Sequence, residues 1–217
     1  MRTLQALFVA CVLALVGSYV LVAQQGGSQM TFFITSTGMG NGGNLGGLGG
    51  ADNHCQTLAA AAGAGTRKWQ AYLSTQGPGA VSARDRIGKG PWTNAKGVVI
   101  AKSLDDLHSA SNNLTKETQL TEKGAVVNGR GDNPNTHDIM TGSNADGTAF
   151  PAGTDNTCSN WTSAAETSAG ARVGHHDRQG GGQDPMSWNS AHTTPGCAQA
   201  NLAKVGGAGL FYCFAAN

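Results

Sequence analysis

The sequence predicts an α+β fold in which strands at both ends of an exported domain enclose short helices and long loops. Three observations predict it. Residues 30–36 and 209–214 are rich in aromatic and apolar residues, which favours strands. Apolar residues follow Asp52 at helical spacing. Glycine supplies 33 of the 217 residues, about twice its usual share of ~7%, and such a composition is typical of a loop-rich chain.

Residues 1–23 have the order of a secretory signal peptide. Arg2 supplies a positive charge, residues 6–16 form an apolar run, and the small residue Ala23 precedes a polar stretch. We expect cleavage after Ala23. The alternative is an uncleaved anchor, because the apolar stretch is close to the ~20 residues that cross a bilayer. Residues 24–217 then suit a single domain.

The net charge of the chain limits the classes of molecule it can be expected to bind. The chain has 14 Lys and Arg against 13 Asp and Glu, for a net charge of +1, which gives no basis for binding nucleic acid. We expect a secreted or cell-surface protein, periplasmic or on the outer surface in a bacterium. Membrane attachment is expected only through an uncleaved signal segment. The sequence leaves the oligomeric state open.

Two helices are predicted between the end strands. The first is expected to begin at Asp52 as N-cap and to end at Gly63. It would bury one face, made by Cys55, Leu58, Ala59 and Ala62. The second is short and opens with Ser103, which is followed three residues later by Asp106 as in a capping box.

Short strands are predicted at residues 69–74 and 98–101, where aromatic or β-branched residues cluster. From residue 115 to the last strand the chain is polar and irregular, with isolated apolar anchors. Among these anchors, we expect Trp161 to lie in the core and Trp188 to be partly exposed.

Four cysteines remain after the signal segment: Cys55, Cys158, Cys197 and Cys213. An even number of cysteines in an exported chain indicates disulfides, and four cysteines allow three pairings that spacing does not decide. A zinc site is the alternative, but no two of them have Cys-x-x-Cys spacing.

These features together resemble the endostatin domain of collagens, which has a C-type-lectin-like fold. The chain is most similar to bacterial relatives such as the leptospiral endostatin-like surface proteins. The order of the motifs holds from about residue 30 to residue 217. The motifs that carry the resemblance are Gly-Gly-Ala-Asp-Asn-His-Cys at 49–55, Trp-Gln-Ala-Tyr-Leu-Ser at 69–74, Ser-Leu-Asp-Asp-Leu at 103–107, Cys-Ser-Asn-Trp at 158–161 and Leu-Phe-Tyr-Cys at 210–213.

The resemblance implies a mixed sheet with two short helices, long loops and two nested disulfides, Cys55–Cys213 and Cys158–Cys197. Collagen endostatins bind zinc through an N-terminal histidine cluster. This chain has no histidine before His54, so that site is not implied here. Residues 183–185 and 188–190 only approximate the calcium-binding elements of sugar-binding C-type lectins.

Catalysis has little support in the sequence, and we expect no enzyme. The chain has no Gly-x-Ser-x-Gly nucleophile motif. His175, His176 and Asp184 are the best acid–base or metal candidates, and they define an alternative function as a secreted hydrolase. Adjacent residues on an extended segment face opposite ways, which makes it difficult for both histidines to serve one site.

The Gly- and Asn-rich loops between residues 128 and 192 are the expected ligand-binding region. No cofactor is expected, and calcium is the one ion left open, through Asp132, Asp138 and Asp155. The tentative ligand-binding residues are Asn133, Asn135, Asn144, Asp146, Gln183, Asp184, Trp188 and Asn189.

The leading hypothesis is therefore a non-catalytic extracellular module that binds a glycan or an extracellular-matrix or host protein in adhesion at a cell surface. A structural envelope component is the other alternative to the hydrolase.

Overall fold

The computed structural model describes residues 29–167 and 170–216. The predicted signal segment, residues 1–23, lies outside these ranges. Within them, no helix has the length and apolar character needed to cross a membrane.

The fold is a mixed α+β structure built on one six-stranded sheet. The strands are β1 Phe32–Ile34, β2 Trp69–Ala71, β3 Trp92–Thr93, β4 Val99–Ala101, β5 Asp138–Met140, β6 Arg172–His175, β7 His192–Thr193 and β8 Gly207–Ala215. The six-stranded sheet has the order β1-β8-β5-β6-β7, with β2 also paired to β8, and β3 and β4 form a separate two-stranded sheet.

Strand β8 organises the sheet. Its first half runs parallel to β5, and its second half lies between β1 and β2, antiparallel to both. The apolar run that predicted this strand is buried on both faces because the sheet has a core on each side. One core contains Phe33, Trp69 and Phe211, and the other contains Tyr72 and Phe214.

Four α-helical segments occur in the described ranges, besides a 3-10 turn at Ala83–Asp85, where the sequence led us to expect two short helices. They are α1 Gly47–Ala61, α2 Leu104–Leu107, α3 Cys158–Trp161 and α4 Gln199–Val205. The capping box of α2 is confirmed, since the Ser103 side chain accepts a hydrogen bond from the backbone N–H of Asp106.

The predicted start of α1 at Asp52 is wrong. The N-cap is Gly46, in the left-handed conformation, and Asp52 lies inside the helix. Its carboxylate is used in tertiary contacts instead. It accepts two hydrogen bonds from the Arg86 guanidinium, at 2.8 and 2.7 Å, and one from the Ala71 backbone N–H at 2.8 Å. Asp52 therefore fixes the helix to β2 rather than capping it.

The segment α3 is a left-handed turn. Cys158, Ser159, Asn160 and Trp161 all have positive φ, between 48° and 67°. This conformation costs L-residues roughly 1–2 kcal/mol each. The surrounding structure enforces it, because Cys158 is disulfide-bonded and Trp161 is buried as predicted, with its indole N–H donating to the Ser74 carbonyl at 2.8 Å.

Both disulfides implied by the resemblance are confirmed. Cys55–Cys213 joins α1 to β8, and Cys158–Cys197 joins α3 to the segment just before α4. Disulfides persist in oxidising compartments, which is compatible with export.

The section predicted to be irregular contains β5, β6, β7 and α4, so that prediction is wrong. The three strands are two to four residues long, and Arg172, Gly174 and His175 give β6 no apolar alternation. Such strands form because of their neighbours in the sheet rather than from local preference.

Candidate metal centre

The end of the sheet formed by β5, β6 and β7 brings histidines and a carboxylate together. Asp138 of β5 pairs directly with His175 of β6, and His192 of β7 pairs with Val173. Because alternate residues of a strand share a face, Asp138, His175 and His192 lie on the same side of the sheet. His137, immediately before β5, joins them.

The imidazoles converge on the carboxylate of Asp138. The Nε2 atoms of His137 and His175 lie 3.2 and 3.3 Å from its Oδ1, and the Nε2 of His192 lies 3.4 Å from its Oδ2. The Asp138 side chain is completely buried, whereas His192, at 19% exposure, stands at the rim.

The other ring nitrogens face outer acceptors. The Nδ1 of His137 lies 3.2 Å from Oδ1 of Asp177, and the Nδ1 of His175 lies 2.9 Å from the Pro185 carbonyl oxygen. An Nδ1–H that donates to these acceptors leaves the Nε2 lone pair directed at Asp138. Metal-bound histidines have this arrangement, in which the outer acceptor fixes the tautomer.

The cluster lacks internal hydrogen bonds. Both carboxylate oxygens of Asp138 and the Nε2 of His175 are buried without a hydrogen-bond partner, because the contacts in the cluster do not have hydrogen-bond geometry. Each such group costs about 1–3 kcal/mol. A cation between the lone pairs would satisfy all of them.

The stacked rings of His137 and His175 disfavour a proton on both at once. The rings of His137 and His175 are parallel to within 9°, with centroids 4.3 Å apart. Two imidazolium ions in this arrangement would repel each other across a buried gap. A single cation held by neutral imidazoles avoids this repulsion, and it requires one ring to turn, because the Nε2 lone pairs of parallel rings lie in separate planes.

The pKa shifts favour a positive charge beside Asp138, whether a proton or a metal ion supplies it. Burial disfavours ionised Asp138, but His175 and His192 outweigh it and hold the pKa of that carboxyl below its usual value. Burial also disfavours charged His175, but Asp138 and the Pro185 carbonyl together outweigh it and raise the pKa of the imidazole. Burial of Asp177 is outweighed by His137 and by backbone N–H groups, which hold the pKa of Asp177 well below its usual range.

The spacing fits a small transition-metal ion. Zn–N and Zn–O bonds of about 2.0–2.1 Å in a tetrahedron give ligand–ligand edges of about 3.3–3.4 Å. The N···O separations in the cluster are 3.2–3.4 Å, and the ligand atoms of His137, Asp138 and His175 all lie within 4.8 Å of one another. Calcium prefers oxygen ligands alone, so nitrogen donors favour zinc-class ions.

Glycine backbone covers the rings closely. A Cβ on Gly180, at φ 141°, would lie 2.6 Å from Cε1 of His175 and 3.1 Å from Cε1 of His137. A Cβ on Gly206 would lie 2.9 Å from Cδ2 of His137. The site is therefore sealed on this side by chain segments that only glycine can form without displacing a ligand.

On the other side the cluster opens into a pocket of about 540 Å³. Polar and small residues make most of its wall. The pocket is lined by Arg130, Asn135, His137, His175, Gly181, Gly182, His192, Thr193 and Val205.

The structure divides the predicted ligand-binding residues between different places. Asn135 lines the pocket beside the histidine cluster, and Asn133 lies in the exposed loop just before Asn135. The side chain of Gln183 accepts a hydrogen bond from Arg172 at 2.7 Å. Asp184, Trp188 and Asn189 line a separate pocket with His108.

Hydrogen bonds among protein groups hold the walls of that second pocket in place. Asn189 donates to the hydroxyl of Tyr72 at 2.9 Å and to the carbonyl of Asn144 at 3.2 Å. Asp146 accepts from the backbone N–H and the hydroxyl of Thr148. Trp188 is only 3% exposed, so the prediction of a partly exposed ring is wrong. Its ring packs against Tyr72 at a centroid distance of 5.0 Å.

The three calcium candidates do not meet. Asp132 pairs with Lys116 at 2.5 Å, and Asp155 accepts hydrogen bonds from the backbone N–H groups of Thr157 and Ser159 at the start of α3. Asp138 faces nitrogen donors. An oxygen-only site built from these three carboxylates is not present among the described residues.

The hydrolase candidates are also separated. His175 faces Asp138, whereas the ring of His176 points away, with its Nε2 3.1 Å from the Asn128 carbonyl oxygen. Asp184 lines the other pocket. Sequence reasoning missed His137 and His192. The His-Asp pair at 137–138 was the only local signal, and β7, the strand of His192, is only two residues long.

No protein-family model matches the chain, and no curated protein matches it significantly.

Proposed function

We propose that this chain is an exported, non-catalytic binding module organised around a zinc-class metal ion. His137, Asp138 and His175 hold the ion from the sheet, and His192 completes the protein ligands at the pocket rim. One observation carries the proposal: a completely buried carboxylate without hydrogen-bond partners faces three imidazole nitrogens at 3.2–3.4 Å.

The ion would fix the walls of the pocket. Its ligands come from β5, β6 and β7, and His175 and His192 bracket the glycine-rich loop that covers the cluster. Without a cation, the buried lone pairs of Asp138 and His175 have no hydrogen-bond partner. Metal binding would therefore add to folding stability as well as shaping the pocket.

Binding is favoured over catalysis by the residues around the pocket. Among the described residues that line it, Thr193 is the only hydroxyl side chain and none is acidic. A hydrolytic zinc site needs a group that takes a proton from the attacking water, and the ring nitrogens here are committed to the ion or to outer acceptors. The resemblance to endostatin-like and C-type-lectin-like domains also favours a binding role, with a glycan or an extracellular protein as the ligand.

Zinc titration by calorimetry tests the metal centre. After chelator treatment and dialysis, the protein should take up one equivalent of zinc. Loss of an outer-shell partner typically weakens a metal site about 10–100-fold, so loss of a direct ligand in His175→Ala should weaken it by more than about 100-fold. The matched control is His54→Ala on α1, whose ring contacts the Thr37 carbonyl and not the cluster.

If His175→Ala fails to fold, His192→Ala still tests the site. His192 is at the rim and its strand is short, so its loss should disturb the fold less. A weakened but measurable zinc affinity is expected for this variant. Zinc uptake below one equivalent, or equal uptake by His175→Ala and wild type, would contradict the metal centre. A glycan and matrix-protein array that stays silent with the zinc-loaded protein would contradict the binding role.

A further inference from the structure

The metal centre is open on one side only. The three buried ligands approach from the sheet, and Gly180 and Gly206 close the space over the rings. The remaining direction faces the pocket of about 540 Å³ beside His192. First-row transition ions accept a fifth ligand, as zinc does in its reactive sites. An outside ligand therefore has one route to the ion, through this pocket.

The pocket carries a net positive charge when the ion is bound. A divalent ion with one carboxylate and neutral imidazoles leaves one net positive charge. The ionised Asp177 behind His137 offsets that charge, and Arg130 at the wall restores one net positive charge, since no acid is among the described residues that line the pocket. The ligand favoured by this field is an anion.

Arg130 is positioned by the metal centre itself. Its backbone N–H donates to Oδ2 of Asp177 at 2.6 Å, while Oδ1 of the same carboxylate contacts Nδ1 of His137. The side chain is exposed, and its guanidinium has no acidic partner among the described residues. Asp177 thus anchors the backbone of Arg130, whose side chain lines the pocket beside the cluster.

We infer that this pocket binds its ligand through a carboxylate, with one oxygen on the metal ion and the other paired with the Arg130 guanidinium. A planar group with two oxygens suits this arrangement, because a guanidinium pairs well with a carboxylate edge. Asn135 and Thr193 lie on the same wall to receive the rest of the ligand. The inference rests on the proposed metal centre.

The test uses the full chain loaded with cobalt(II) in place of zinc, because its visible absorption reports a change in coordination. Acetate and an end-blocked peptide with one glutamate are titrated separately. Acetamide is the neutral control, and inorganic phosphate is the rival anion. A saturable spectral change is expected with the carboxylates and not with acetamide. Tighter acetate binding indicates a small free acid as the natural source, and tighter peptide binding indicates a partner's side chain.

The variant Arg130→Ala separates pocket binding from simple metal ligation. Carboxylate affinity should fall by at least about 10-fold, as expected for loss of one charge-assisted hydrogen bond. Lys89→Ala, which removes another exposed positive charge, should bind as the wild type does.

Three results would overturn the inference while leaving the metal centre intact: no spectral change with either carboxylate, equal affinity in Arg130→Ala, or stronger binding of phosphate than of both carboxylates. Failure of the protein to take up cobalt would instead contradict the metal centre itself.

Discussion

Asp138 and His175 are direct cross-strand partners in β5 and β6, and the Nε2 of His175 lies 3.3 Å from Oδ1 of Asp138. Residues directly opposite each other in a sheet are held at a nearly fixed separation. The sheet, rather than a flexible loop, therefore sets the distance between these two ligands. Such a site is preorganised, and its properties depend on the strands and loops that support it.

The close approach of the Gly180 backbone to the histidine rings gives a prediction, and the neighbouring Gly181 provides its control. In Gly180→Ala the new Cβ would meet the His175 and His137 rings, whereas a Cβ on Gly181 meets no atom within 4 Å. We expect Gly180→Ala to weaken zinc binding about 10–100-fold, as outer-shell changes do. Gly181→Ala should retain the wild-type affinity. Calorimetric zinc titration checks both variants. Equal zinc affinities would show that the Gly180 backbone does not position the rings.

The disulfides should differ in their contribution to stability. Cys55–Cys213 spans 158 residues of sequence and Cys158–Cys197 spans 39. In the loop-entropy model these bonds contribute about 5 and about 4 kcal/mol. Paired Cys→Ala variants should follow that order in chemical denaturation. A larger loss on removal of the inner bond would mean that enforcing the left-handed turn of α3 outweighs loop entropy.

The left-handed turn predicts a stabilising substitution. Ser159 is exposed with φ 55°, and its backbone N–H donates to Asp155. Glycine adopts this conformation without the steric cost that serine has, so Ser159→Gly should raise the free energy of unfolding by about 1 kcal/mol. Ser111→Gly, at an exposed position without positive φ, should lower it. A loss of stability in Ser159→Gly would show that the turn is not strained.

His108 gives a prediction about pH. Burial lowers its pKa, and its Nε2 lies 2.8 Å from the hydroxyl of Tyr72 while its Nδ1 faces the Leu104 carbonyl at 2.8 Å. The unfolded chain therefore takes up the proton more readily than the native state. This contribution to stability is complete above the ordinary histidine pKa of about 6.5 and is lost as the pH falls below it.

The variant His108→Gln isolates this effect from the other histidines. Its stability should fall less than that of the wild type between neutral and mildly acid pH, as measured by denaturant unfolding at several pH values. Parallel curves for the two proteins would contradict a neutral, buried His108.

Several parts of the fold follow from local sequence signals. The last strand was predictable from its apolar run, and α2 from Ser103 with Asp106, because each pattern acts over adjacent residues. The start of α1 was not predictable, because Asp52 has the chemistry of an N-cap but its carboxylate is used by Arg86 and β2. Only the folded chain shows which contact prevails.

The metal centre shows the same limit more strongly. Sequence reasoning placed Asp138 in an oxygen-rich calcium region and His175 in a hydrolase, so it found two ligands and assigned them to different sites. No motif spacing joins residues 137–138, 175 and 192. They meet because β5, β6 and β7 are neighbours in the sheet, and strands of two to four residues leave too little pattern to reveal that order.

A zinc-soaked crystal, measured for anomalous scattering at the zinc absorption edge, would show directly whether the cluster around Asp138 binds a metal ion. We expect one strong peak within about 2.0–2.2 Å of Nε2 of His137, Nε2 of His175 and a carboxylate oxygen of Asp138. A clear map with no peak between these residues, or with zinc bound only elsewhere, would contradict the metal centre.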